Sequence, residues 1–495
     1  MNTHALPLVA AIAAALSSAS PAVTAASVPV TSCADDGSAG TLRTAILTEA
    51  HDGDTIDMTG LTCGTITLGS VIDTSDDANF AVAALTLVGP GRDRLVISGN
   101  DQTSLFRFPA FYGFPRQVTL RDLTIAHGDD VEGRYGGGGC VYATGDVTLD
   151  RVTITDCHAR WTAEYPGRTR GGALLASWLV MTDSTISNST AANDSGGTAA
   201  GGGAWVGGAT LVDSSISGNG AIADIGVDGL GNITAGGGLY VAAAPLLLVN
   251  STVSGNTVET TDVTGNGVGG GLLAMNDVQV LGSTISGNVA DGDGGGIYKR
   301  LGAVYDRSVV VVMNSTIAGN SAGGVGGALA SQRSATLLNA TVASNDSGNG
   351  GALMFQLAGH GYNEGNGTLY LGSSIVAGNL AGAGSPFAAG IAADDTLTIL
   401  GNSDLIVDAA PDLVLPPGTI AGDPMLLPLT WNGGPTQTMA LAAGSPARDA
   451  GSNATGFTSD QRGAPWARTY GVTTDIGAYE VQPTPDVIFT SGFDD

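Results

Sequence analysis

The apolar residues of this chain come in runs too short for helices. Leu246-Leu247-Leu248-Val249 and Val309-Val310-Val311-Val312 are each bounded by polar residues, glycine or proline. Such runs predict short buried strands in a parallel sheet. Beside them the chain alternates hydroxyl and apolar side chains, as in Ser283-Thr284-Ile285-Ser286, and then reaches a Gly-Asn pair, Gly287-Asn288. The alternation carries the strand round a corner, and Gly-Asn, which tolerates left-handed backbone angles, predicts the turn after it.

These units recur. A Gly-Gly-small-apolar motif appears at Gly171 to Leu174, Gly236 to Leu239, Gly269 to Leu272, Gly294 to Ile297, Gly326 to Leu329 and Gly350 to Leu353. Copies of the Ser/Thr-Ile-Ser-Gly-Asn motif run from Ser214 to Asn219, Ser251 to Asn256, Ser283 to Asn288 and Ser315 to Asn320, with degenerate copies centred on Ile125, Ile154, Ile186, Val342 and Ile375. A period of roughly 25 to 37 residues means a solenoid. Paired glycines mark places where neighbouring coils approach too closely for a Cβ. The expected fold is therefore all-β: a right-handed single-stranded parallel β-helix of about nine to eleven coils. A short capping helix is expected over Thr41 to Ala50, with Leu42, Ala45 and Ile46 on one face. The expected divisions are 1–26 export signal, 27–100 N-terminal cap and first coils, 101–410 repeats, 411–482 C-terminal cap and 483–495 tail.

Each coil has a constant and a variable arm. From the glycine pair to the next column Ile or Val the distance holds steady, apart from insertions at Leu301 to Ser308 and Ala358 to Gly367. From that column residue to the next glycine pair it varies widely, and the longer arms belong to the first five coils. Constant spacing is structural and variable spacing is surface loop, so a binding face is expected on the early coils. Aspartate or asparagine recurs three residues before the column residue, at Asp122, Asp183, Asp213, Asn250, Asn314 and Asn339, as a side-chain ladder would.

Composition narrows the function. There are 77 glycines without a three-residue period, so collagen is excluded, and 43% of residues are hydrophobic, which argues against disorder. The formal net charge of −27 repels phosphate backbones and excludes a general nucleic-acid binder. Within that acidic chain ten arginines cluster between Arg92 and Arg170, a local excess that suits an acidic glycan or simply lines solvated outer positions. The apolar run from Leu6 to Leu16, followed by small residues through Ala26, reads as a signal peptide and is too short to span a membrane. Export makes disulfides the natural state of the four cysteines, most simply Cys33–Cys63 and Cys140–Cys157. Cys140 takes the small-residue slot held elsewhere by Ala173, Ala204 and Gly238, and Cys157 the slot of Asn219 and Asn256.

Several separated stretches resemble known families. Gly40-Thr41-Leu42-Arg43-Thr44-Ala45-Ile46 resembles the N-terminal Cys-Ser-Leu-Arg-Glu-Ala motif of exported bacterial β-helix proteins. Asp423-Pro424, Asn432 to Thr436, Gly444 to Ala447, Asp449 to Gly451, Asp460 to Gly463 and Asp475 to Glu480 are similar, in order, to the C-terminal region of the choice-of-anchor Q family. Ile488 to Phe493 is similar to a short C-terminal signature of exported proteobacterial proteins, and the glycine-pair coils resemble those of chlamydial polymorphic membrane proteins. Together these imply a pectin-lyase-like fold and a secreted or outer-membrane-associated protein, and no established reaction.

Two functional classes remain. In one, an adhesin-like or envelope-associated protein contacts glycan or another protein, or serves as a structural component, through its long surface. The binding candidates are Arg134, Tyr135, Arg160, Trp161 and Tyr165, because aromatics offer flat apolar area and arginine forked donors. In the other, a lyase or hydrolase acts on acidic polysaccharide, with carboxylates for calcium or acid–base work and an arginine base. Its candidates are His127, Asp156, Asp129, Asp130 and Arg134, with Asn188, Glu132, His158 and Arg160 nearby. No organic cofactor is called for. Calcium is expected, if anywhere, at Asp129-Asp130, Asp291-Gly292-Asp293 or Asp394-Asp395, none of which has a full recognised ligand spacing.

Overall fold

A computed structural model describes residues 25–75, 83–110, 116–130, 136–161, 167–225, 233–261, 266–302, 308–357 and 366–482. It is a parallel β-solenoid. Among the described residues thirty-two strands form one continuous parallel sheet that turns corners to make three faces, and a nine-stranded sheet makes a fourth. In the coil that begins at Gly236, the first face receives Leu239–Val241, the second Leu246–Val249, the third Thr252–Ser254 and the fourth Thr257–Thr260. Among the described residues helix is confined to Leu42–Thr44, continued as one π-helical stretch, Ala45–Glu49. Leu42, Ala45 and Ile46 are wholly buried there, and Arg43 holds the piece to Asp35 through two hydrogen bonds of 2.8 Å.

Each strand keeps one set of side chains inside. On the third face, Ile97, Ile125, Ile154, Ile186, Ile216, Val253, Ile285 and Ile317 stack rung on rung at no exposure. At rungs about 4.8 Å apart these residues exclude water along the whole rod.

The corners show why each turn residue is what it is. Of the Gly-Asn pair, only the glycine takes the left-handed angle, as at Gly218 (φ 65°) and Gly287 (φ 63°). The asparagine faces inward. Asn219, Asn256, Asn288, Asn320, Asn345 and Asn379 form a buried ladder in which each side-chain oxygen accepts the backbone N–H of the asparagine, or at Ser189 the serine, one coil earlier, at 3.0–3.1 Å. A second ladder of Ser184, Ser214, Ser251, Ser283 and Ser315 does the same at the preceding corner. The expected Asp/Asn ladder lies one residue before these serines. Asp122, Asp183, Asp213, Asn250, Asn314 and Asn339 all have φ between 45° and 54°, so the position selects residues that tolerate a left-handed backbone.

Both disulfides are Cys33–Cys63 and Cys140–Cys157. Cys157 begins the asparagine column, since its N–H donates to Ser189 Oγ, and that serine's N–H donates to Asn219. Cys140 stacks on Ala173, Gly203 and Gly238; the slot is Gly203 and not Ala204, which pairs with Leu174 in the strand. In later coils a Cβ on Gly203 or Gly238 would lie within 3.0 Å of Asn219 or Asn256. The disulfide thus replaces a Gly–Asn contact. Cys140→Ala with Cys157→Ala is expected to cost about 3 kcal/mol in denaturant unfolding. Cys140→Gly with Cys157→Asn, which restores the later coils' pair, should recover part of that loss; no recovery would contradict the equivalence of the slots.

The segment 411–482 closes the last coil and then runs back along the third face. Ile420 pairs with Leu405, and Leu441, Ala447 and Ile476 pack on Ile375 and Leu405. Gln461 is the central contact: its Nε2 donates to Ser283 O (3.1 Å), Thr284 Oγ1 (2.9 Å) and Thr436 Oγ1 (3.0 Å), and its Oε1 accepts Thr316 Oγ1 (2.6 Å). Beside it Arg462 is buried, bonded to Asp460 and to Glu480 O, between the rings of Trp466 (3.8 Å) and Tyr479 (3.9 Å). The residues behind the choice-of-anchor Q resemblance are therefore the ones that hold this arm together and against the coils.

Candidate functional site: an arginine–aromatic platform on the early coils

Outward positions of the first face are unusually large. Reading rung by rung they are Arg107, Tyr142, Leu175, Trp205, Tyr240, Leu273 and Tyr298. A sheet face normally exposed to water would not carry such a column. It is partly roofed by the variable arms, whose short strands Arg168–Arg170 and Thr198–Ala200 pair beside it. Alternation on Arg168-Thr169-Arg170 buries Thr169 and leaves both arginines half-exposed on the other side.

The two guanidiniums lie on the aromatic column. Arg168 sits 5.4 Å from the Tyr240 ring centre and donates to its hydroxyl at 3.2 Å, and Arg170 sits 5.1 Å from that of Trp205. The Trp205 and Tyr240 rings stack 6.1 Å apart at 15°. Arg107 covers Tyr142 in the same way at 5.4 Å. Burial, and then the charge of Arg168, push the Arg170 guanidinium below its usual value. Among the described residues neither Arg168 nor Arg170 has a carboxylate partner, and their Nε atoms and Trp205 Nε1 are buried without an acceptor.

That is unlike the neighbouring arginines. Arg92 bonds Asp183, Arg107 bonds Asp73, Arg121 bonds Asp150, and Arg151 bridges Asp122 and Asp150. Arg160 is exposed but committed to the buried Asp129, and Arg116 donates to Thr74 Oγ1 at 2.6 Å. In a chain of net charge −27, two adjacent guanidiniums without an anion among the described residues form a locally electropositive spot. Planar forked donors suit the carboxylate of an acidic sugar; Tyr240 is 2% exposed and Trp205 half-buried, so the rings hold the two guanidiniums in place and the contact with the sugar falls to the guanidiniums.

The residues singled out in the sequence fall as follows. Arg134, Tyr135 and Tyr165 lie outside the described residues. Trp161 is half-buried against Gly167, where a Cβ would come within 2.1 Å of its ring. His127 (φ 55°) and Asp156 (φ 53°) occupy left-handed corners of adjacent coils with Asn188 (φ 50°), so their residue types answer to the backbone; His127 Nδ1 lies 3.5 Å from Asp101. Asp129 is 4% exposed and held by Arg160, so its carboxylate is not turned to solvent.

The proposed calcium loops spend their oxygens on amides. Asp291 accepts the N–H groups of Thr260 (2.6 Å) and Gly267 (2.9 Å), while Asp293 accepts Val325 N–H (2.9 Å) and Gln356 Nε2 (2.7 Å). Asp394 accepts Leu357 N–H at 2.6 Å. These carboxylates join successive coils, and among the described residues no three His, Cys, Asp or Glu side chains converge as a metal site.

Among solved structures the chain is similar to the crystal structure of pectate lyase Pel9A. The TM-score is 0.42 and the identity 13%, covering 92% of this chain and 96% of that one. No protein-family model and no curated protein matches the chain. No helix among the described residues is long and apolar enough to cross a membrane.

Proposed function

We propose that the protein is an exported, surface-associated or secreted binding protein whose early coils hold an extended acidic glycan. The observation that carries this reading is the Arg168–Arg170 pair, stacked on Trp205 and Tyr240 without a carboxylate partner among the described residues. Export is supported by the two disulfides, which persist in oxidising compartments. Binding is preferred to hydrolysis because the platform's described residues include no pair of carboxylates at glycosidase separation, and an arginine-base lyase is the alternative that product absorbance tests.

Oligogalacturonate is the test ligand, chosen for its regular carboxylates. Arg168→Gln with Arg170→Gln is expected to weaken its binding at least about tenfold, roughly 1.4 kcal/mol, without moving the melting temperature. Binding to the unaltered protein should also fall as salt rises. Equal affinity of the variant, or equal binding of uncharged dextran, would refute the assignment. Growth of unsaturated-product absorbance during the incubation would instead establish lyase activity.

A further inference from the structure

A second site lies on a different face. The arm buries the third face only from Thr284 onward; Thr153, Thr185, Ser215 and Thr252 on the coils before it remain half-exposed. The arm's antiparallel hairpin, bridged at Leu426–Leu441 and Thr430–Thr438, stops there and presents Trp431 at 62% exposure. Between that tip and the open rungs is a groove of about 590 Å³.

Its chemistry is opposite to that of the platform. The groove is lined by hydroxyls, by Trp431, and by four charged residues, Arg92, Asp93, Asp183 and Asp213. Arg92 is taken by Asp183 at 3.2 Å, while Asp93 and Asp213 have no cationic partner among the described residues. Two carboxylates without a cationic partner among the described residues, lining one groove with an exposed indole, favour a ligand that carries ammonium groups along its length, by charge and by attraction to the ring face. The hydroxyls repeat once per coil, about every 4.8 Å. An extended polysaccharide advances by a similar distance per sugar, so successive sugars meet equivalent hydroxyls.

We infer that this groove binds a linear amino-sugar polymer bearing free amines, laid along the solenoid axis with one sugar on Trp431. The site is separate from the platform and stands or falls independently of it.

The test uses the full exported chain and glucosamine hexamer, its N-acetylated counterpart and oligogalacturonate, read by calorimetry and tryptophan fluorescence. Because any polycation is drawn to an acidic protein, Asp93→Asn with Asp213→Asn is compared with an equal charge change on the fourth face, Glu259→Gln with Asp346→Asn. The groove pair and Trp431→Ala should each weaken glucosamine-hexamer binding at least about tenfold, and the control pair less than about twofold. All three should leave oligogalacturonate binding and the melting temperature unchanged. Equal loss in groove and control pairs would reduce the binding to diffuse attraction and overturn the site. Equal affinity for the acetylated hexamer would overturn the amine assignment, and absence of binding to the free-amine hexamer would overturn both.

Discussion

Asn288→Ala is expected to destabilise the protein by about 4 kcal/mol or more, several times the loss from trimming a neighbouring core residue, Ile285→Val, at about 1 kcal/mol. The asparagine is wholly buried and makes four hydrogen bonds. Its oxygen accepts Asn256 N (3.0 Å) and Asn256 Nδ2 (2.9 Å), and its Nδ2 donates to Val253 O (2.9 Å) and Asn320 Oδ1 (2.8 Å). Alanine leaves these groups in a dry interior, where each orphan costs about 1–3 kcal/mol. Denaturant midpoints of the two variants decide it. A loss no larger than that of Ile285→Val would mean that water or rearrangement replaces the ladder, and that the ladder is not what fixes the coils.

Raising the pH from 5 to 8 should lower the melting temperature, and Asp404→Asn should remove the largest single share of that drop. Asp404 ends the serine ladder: its Oδ1 accepts Ser374 N–H at 2.9 Å, and its Oδ2 is buried without a partner among the described residues. Burial pushes its carboxyl from 3.8 up to about 7, opposed only by the Ser374 hydrogen bond. Burial likewise raises Glu480 from 4.5 to about 7, and raises Asp475, in the arm. Between about pH 4 and 7 the folded chain keeps protons that the unfolded chain releases. The stability these groups contribute is complete below about pH 4 and is lost as pH rises through 7. For Asp404 the shift corresponds to at most about 4 kcal/mol. Carboxylates with lowered values, such as Asp57 bonded by Thr59 and Asp122 bonded by Arg151, act in the opposite sense, but only below about pH 4. Asp404→Asn should therefore stabilise the protein at pH 8 and change little at pH 5. Equal effects at both pH values, or a melting temperature that rises towards pH 8, would sink this account.

The coil was legible because its signals are local. Apolar runs, hydroxyl–apolar alternation and paired glycines all repeat within one coil, so their spacing points to stacked coils of about three short strands; the fourth strand, as in Thr257–Thr260, carries no repeated motif and was not legible. The glycine reading holds physically: a Cβ on Gly237 would lie 2.3 Å from Thr257 O and 2.4 Å from Gly270 O. The division of labour inside Gly-Asn was not legible, since both residues tolerate left-handed angles and only burial shows that asparagine turns inward. Three successive glycines, Gly201 to Gly203, leave the register ambiguous by one in the sequence, and only the pairing of Ala204 with Leu174 places Gly203 in the cysteine-equivalent slot. Arg168 and Arg170 belong to the arginine excess, but that neither has a carboxylate partner among the described residues depends on which carboxylates the other eight arginines take. The arm's path along the third face was hidden for a similar reason: Gln461 finds Thr316 145 positions earlier and Thr284 177 positions earlier.

Those contacts also make the arm dependent on several coils at once. Gln461 needs Ser283, Thr284 and Thr316 side by side, Ala478 N–H needs Thr341 Oγ1, and Gly477 N–H needs Ser373 O, so the arm fits only a stack already assembled across those coils. Synthesis runs from the N-terminus, so the arm is also the last of these parts to be made. It works as a lock that closes on a finished rod. Without the arm, Thr284, Thr316, Ala318, Thr341 and Ala343 would together lose the cover of Met439, Gln461 and Ala478, so the arm is also what keeps this strip of the third face from water.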